Sequence, residues 1–170
     1  MPDCEATHTT GAQRPVAARE WRAMLIARRL LVTTESFGPS LPAHAAAEAI
    51  GRGLLDGGLP EPDLCPLETR EDGDPDPRTA LDAVGFDARM RSSWALLVVA
   101  ASLRPRTLAG SMAFELATRA RQAGVPAYAV TADNRLDGFD ARVMDLQAIL
   151  EAAPSARGLR GAARRLASQL

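Results

Sequence analysis

From Trp94 to Ser102 the chain reads WALLVVAAS, nine residues with no charge and almost no polarity. A strand with one wet face alternates apolar and polar side chains, so an unbroken apolar run means that both faces are covered. Shorter runs of the same kind recur at Leu30–Thr34 (LLVTT), at 62–67 (PDLCPL), at 125–131 (VPAYAVT) and at Leu146–Leu150. The segments between them place apolar residues at helical spacing, and no hairpin turn joins any two runs. Strand and helix therefore alternate along nearly the whole chain. The expected fold class is α/β: a single three-layer Rossmann-like domain, mostly parallel sheet with helices on both faces and right-handed crossovers.

Residues 1–14 are polar and turn-rich, and Pro15–Arg29 carries Ala18, Trp21, Met24 and Leu25 on one helical face. We read 1–29 as a leader and an amphipathic helix ahead of the α/β domain at 30–170. Ser40 reads as the N-cap of a helix over Ala43–Leu55, with Pro42 in the first turn and Gly57 and Gly58 as its stop. The acidic stretch ETREDGDPDPRT (68–79), broken by prolines, reads as an exposed loop. A short helix is expected over 80–90. Thr107 opens a longer one running through Gln122, which Gly124 closes. Residues 135–145 are weakly helical, and Ala156–Leu170 forms an arginine-studded amphipathic helix.

Composition narrows the chemistry. The 170 residues suffice for one buried core, and the net charge of -1 gives no bulk attraction for nucleic acid. No apolar run nears the ~20 residues that span a bilayer, and the first 28 residues lack a signal-peptide core, so a cytoplasmic protein is expected, with no membrane partner. All 20 basic residues are arginine. No lysine is present to form a Schiff base or to act as the point charge of a phosphate loop. Cys4, Cys65, His8 and His44 are too scattered for a metal cluster, and no metal is expected.

Parallel sheets hold ligands outside the carboxyl ends of their strands, which directs attention to Glu35–Ser40, Ala101–Ser111 and Ala132–Asn134. Arg104 and Arg106 precede the helix that Thr107 is expected to cap, so guanidinium groups, free N–H groups and the helix dipole converge there on an anion. With the Ser36–Ser40 turn opposite, the expected ligand-binding set is Glu35, Ser36, Ser40, Arg104, Arg106, Thr107 and Ser111. A small carboxylate or phosphate suits it. Asp133 and Asn134 read as turn formers, and His44 as an exposed first-turn residue.

The same turns resemble one family, the bacterial glycerate kinases. That family opens with a strand, Asp-Ser-Phe-Lys-Gly-Ser-Leu and an alanine-rich helix; here Glu35, Ser36, Phe37, Gly38, Pro39, Ser40 and Leu41 precede AAAEAIGRGL (45–54). Its later strand, Thr-Gly-Glu-Gly-Arg-Leu-Asp and Thr-Leu-Ala-Gly-Lys are matched by VVAASLRPRTLAGS (98–111), and its Ala-Gly-Val-Pro by 123–126. Val99, Ala100 and Ala101 replace the Gly-Glu-Gly core, Arg104 replaces an aspartate and Ser111 a lysine. Asp72 and Gly73 are what remains of an Asp-Gly-Gly-Glu-Gly turn, and the family's inserted second domain has no counterpart after residue 79.

The resemblance implies ATP and Mg as family cofactors and glycerate as substrate. Phosphoryl transfer depends on cations around the phosphates, carboxylates on the metal and a base, and losing one such group costs ~10²- to 10³-fold in rate. The expected function is that of a catalytically impaired glycerate-kinase-like protein, with no catalytic residue assigned and at most a small anion bound. Two alternatives stand beside it: a phosphotransferase completed by a second chain, whether another copy or a full-length kinase, and a non-catalytic interaction or regulatory module.

Overall fold

The computed structural model of the chain describes residues 28–67, 76–105 and 110–170. Its centre is the apolar run of the sequence, extended to β3 (Ser93–Leu103). On one side lies β1 (Arg29–Thr34), with β2 (Asp63–Pro66) beyond it; on the other lie β4 (Ala127–Asn134) and β5 (Leu146–Glu151). The order is β2-β1-β3-β4-β5 and every pairing is parallel, as in flavodoxin-like doubly wound sheets. The sheet is thus wholly parallel, where the sequence reading required only that it be mostly so.

Successive residues of each strand point to opposite faces, and the chain supplies a core for each. Leu30, Val32, Ala95, Leu97, Val99 and Val130 pack beneath α1 (Ala43–Asp56) and α6 (Ala156–Ala167). Leu31, Leu96, Val98, Ala100 and Ala129 pack beneath α2 (Pro77–Ala83), α3 (Phe86–Arg91) and α4 (Met112–Gln122). A short α5 (Gly138–Val143) leads from β4 to β5. Apolar continuity in β3 thus has the cause expected of it: helices cover both faces.

Several boundaries differ from the sequence reading, each for a local reason. The expected helix over 80–90 is two, α2 and α3, because Gly85 turns the chain at φ +63° between them. The expected start of α4 at Thr107 is displaced to Met112: Gly110 is left-handed at φ +86°, and Ser111 is the N-cap, its Oγ accepting the Phe114 N–H at 3.2 Å. Ser40 does not cap α1. Pro42 holds that position without a side-chain bond, because the Phe37 N–H donates to the Leu41 carbonyl and the Leu41 N–H to that of Gly38, closing a turn that buries Phe37 and Leu41 before the helix starts. Arg29, expected to end a helix, starts β1; residues 1–27 of that leader and helix, and most of the acidic loop, lie outside the described residues.

Candidate functional site

The chain leaves β1 toward α1 on one face and β3 toward α4 on the other, so the order reverses between these strands and a crevice opens above their carboxyl ends. Glu35 and Ser36 stand half-buried at its β1 side, and the Glu35 N–H donates to the Val99 carbonyl at 3.1 Å, tying this loop to β3. Phe37 turns down into the α1/α6 core, fully buried. The Thr34 hydroxyl, also buried, donates to the Ala43 carbonyl at 2.8 Å and so holds the first turn of α1. Ser40 is exposed at the tip of the turn.

On the other side β3 runs past the end of β1. Thr34 pairs with Val99, whereas Ser102 and Leu103 continue to pair with Asp133 and Asn134 of β4. This two-stranded extension sets the partner of Arg104: its Nη2 donates to Asp133 Oδ2 at 3.0 Å, while Arg135 Nε donates to Oδ1 of the same carboxylate at 2.6 Å. Hydrogen bonding from Arg135, reinforced by Arg104, holds the Asp133 carboxyl below the usual carboxylate range. Asp133 was expected to be a turn former; it is instead a strand residue clamped between two guanidinium groups. Asn134 does make the turn, its Oδ1 accepting the Leu136 N–H at 3.2 Å.

The expected ligand set is thus divided. Glu35 and Ser36 flank the crevice, Ser40 lies at a turn tip, Arg104 reaches toward β4, and Ser111 caps α4. Arg106 and Thr107 lie outside the described residues. Arg104 does not sit in the first turn of α4, because that helix begins beyond Gly110. Among the described residues no buried side-chain polar atom lacks a hydrogen-bond partner, and no group of three or more His, Cys, Asp or Glu side chains converges as a metal site would require. Buried Cys65 has its thiol pushed up by burial, which suppresses the thiolate needed for nucleophilic work.

Two features escaped the sequence reading. One is the partnership of Asp133 with Arg104, which depends on β3 and β4 extending together beyond the sheet. The other is a groove of about 590 Å³ on the outer side of α1 and α6, flanked by Arg52, Arg157, Arg160 and Arg164. Its signal was present in the spacing of Arg157, Arg160 and Arg164 along one helical face. No helix among the described residues is long and apolar enough to cross a membrane.

No family model matches this chain, and no curated protein matches it. Among solved structures, the chain is similar to a Burkholderia pseudomallei protein named as pilus assembly-related, at 19% identity and a TM-score of 0.47, over 85% of this chain and 92% of that one. A likeness of this degree carries no functional argument.

Proposed function

We propose that this chain is a non-catalytic α/β module with a glycerate-kinase-like framework, whose strand-end crevice transfers no phosphoryl group and takes at most a small carboxylate or phosphate. The observation that supports this reading is the clamp on Asp133. A kinase site needs carboxylates open to a metal and cations open to phosphate. Here the carboxylate beside the crevice is held by Arg104 and Arg135, and Arg104 stands where the resemblance calls for an aspartate. The neighbouring β3 positions, Val99 and Ala100, are apolar and buried, and offer neither a metal ligand nor a base. Glu35 remains as a carboxylate at the crevice, too few for the task.

The test is direct. Purified chain is incubated with glycerate and Mg-ATP while ADP release and phosphoglycerate are followed by a coupled assay and mass spectrometry. No turnover above the protein-free rate is expected. Phosphoglycerate that scales with protein and disappears in Glu35→Gln refutes the reading. Calorimetric titration with inorganic phosphate and with glycerate then asks whether any anion binding survives.

A further inference from the structure

The groove between α1 and α6 is built from guanidinium groups that the fold leaves largely available. Arg160 donates to Asp56 and Arg52 to Glu48, a carboxylate it shares with His44. The side chains of Arg157 and Arg164, by contrast, make no hydrogen bond or ion pair among the described residues, though Arg164 is near enough to Asp56 to favour its ionised form. All four arginines are exposed. Four cations thus line a groove to which one carboxylate, Asp56, contributes, on the surface of a chain whose net charge is -1. The imbalance is local, and nothing inside the fold requires it.

Arg157, Arg160 and Arg164 lie three, four and seven residues apart on α6, so they form one stripe ~10 Å long, with Arg52 on the opposite wall. The floor carries only small residues, Ala49 and Gly161. A Cβ added at Gly161 would meet nothing nearer than the Arg165 guanidinium at 3.7 Å, so there is room for a backbone or a short side chain to settle between the arginines. Planar guanidinium forks match carboxylates in two-point contact, which an ammonium group does not.

We propose that this groove is a docking surface for an acidic, helical segment of a partner protein, carrying carboxylates at matching three-, four- and seven-residue spacing. The shortness of the stripe argues for this occupant over a nucleic acid. A duplex is held by many phosphate contacts and a broad positive field, whereas here the stripe is three arginines long, Asp56 faces it from α1, and the molecule carries a slight negative charge. The surface is independent of whether the strand-end crevice binds an anion, and it gives a non-catalytic module a means of recognition.

The probe is a fluorescein-labelled, alanine-rich helical peptide of about 15 residues with glutamates at that spacing, titrated with the full chain by fluorescence anisotropy. Saturable binding that weakens with salt is expected. Arg157→Glu combined with Arg164→Glu should weaken it at least about tenfold, and Gly161→Leu should weaken it without altering charge. Arg91→Glu, exposed on α3 beneath the opposite face, should leave it unchanged. Thermal melts establish that each variant is folded; Arg157→Gln and Arg164→Gln, singly, serve if the double reversal is not. Absence of saturable binding at low salt overturns the proposal. So does equal binding by the double variant, an equal loss in Arg91→Glu, or tighter binding of a DNA duplex than of the peptide.

Discussion

On one face of the sheet two helices meet through glycine and alanine; on the other, two short helices meet the longer α4 through arginine. Gly53 of α1 lies against the backbone of Arg160, where an added Cβ would meet the Arg160 carbonyl and, at 2.7 Å, the Ala163 Cβ; Gly57 stands in the same relation to Ala167. That close approach needs no polar contact between the helix axes. Beneath the other face Arg119 of α4, its side chain 13% exposed, donates to Asp82 of α2 at 2.8 Å, to Asp87 of α3 at 3.1 Å and to Glu115 of its own helix at 3.0 Å. Arg89 of α3 similarly grips Asp63 of β2 through both carboxylate oxygens, at 2.9 and 2.6 Å, and the Leu64 carbonyl. The difference teaches where arginine is structural. On the second face guanidinium groups tie the short α2, α3 and β2 to their neighbours above an apolar core; on the first, close backbone contact does the joining, and the ion pair of Arg160 with Asp56 between the helices lies exposed beside that seam.

The comparison breaks first at the glycine seam if it is wrong. Gly53→Leu forces α1 and α6 apart and should cost about 3 kcal/mol, near the upper end of overpacking penalties, read as a lower urea midpoint at unchanged slope. Gly161→Ala, on the same helix pair but with only an ordinary contact at its Cβ, should be neutral or stabilise by up to about 1 kcal/mol, since a helical glycine gives way to the better helix former. Equal destabilisation by the two would mean that the seam is not set by close backbone approach.

Arg119→Met sharpens the other half. It removes the shared partner of Asp82, Asp87 and Glu115 while keeping an apolar stem, and should cost about 1–2 kcal/mol. The figure stays modest because Asp82 and Asp87 are 69% and 46% exposed and regain water. Arg91→Ala, exposed and bonded to a carbonyl of its own helix, should change stability by less than about 0.5 kcal/mol. If the two variants behave alike, the Arg119 network is ornamental and the short helices are held by Leu81, Phe86 and Leu116 alone.

The layered fold could be read from sequence because its signals are local. Apolar continuity in WALLVVAAS announced a strand covered on both faces, and Gly124, at φ +68°, announced the end of α4. The length of β4 could not be read in the same way. Ala132, Asp133 and Asn134 lie beyond the apolar run at 125–131; they are extended because β3 supplies their hydrogen-bond partners beyond the point where β1 stops. That non-local pairing also decided the candidate site, since it aligned Asp133 with Arg104. The start of α4 was misplaced because Thr107 and Ser111 both have capping side chains, and only the left-handed turn at Gly110 selects the second. Gly53 and Gly57 lacked a distinctive signal: a glycine that admits a neighbouring helix looks, in one sequence, like a helix weakness or a stop.

The smallest effect concerns whether the strand ends follow the clamping rule of the α2/α3/α4 face. Hydrogen bonds from Arg135 first and Arg104 second lower the Asp133 carboxyl beneath its ordinary value of 3.8, so ionised Asp133 is favoured by folding. The sign follows: its contribution to stability is present above the unfolded value and is lost as pH falls through the lower, folded one. A carboxyl carbon titration by NMR should place Asp133 below 3.8, with Arg135→Gln returning it further toward that value than Arg104→Gln does. Because all three side chains are on the surface, added salt should weaken the shift without abolishing the bonded geometry. A midpoint indifferent to both substitutions would free Arg104 from the clamp and restore it as a candidate cation for an anion at the β1–β3 crevice. That result would remove the support for a non-catalytic strand end while leaving the arginine stripe on α6 untouched, so the two proposals stand or fall separately.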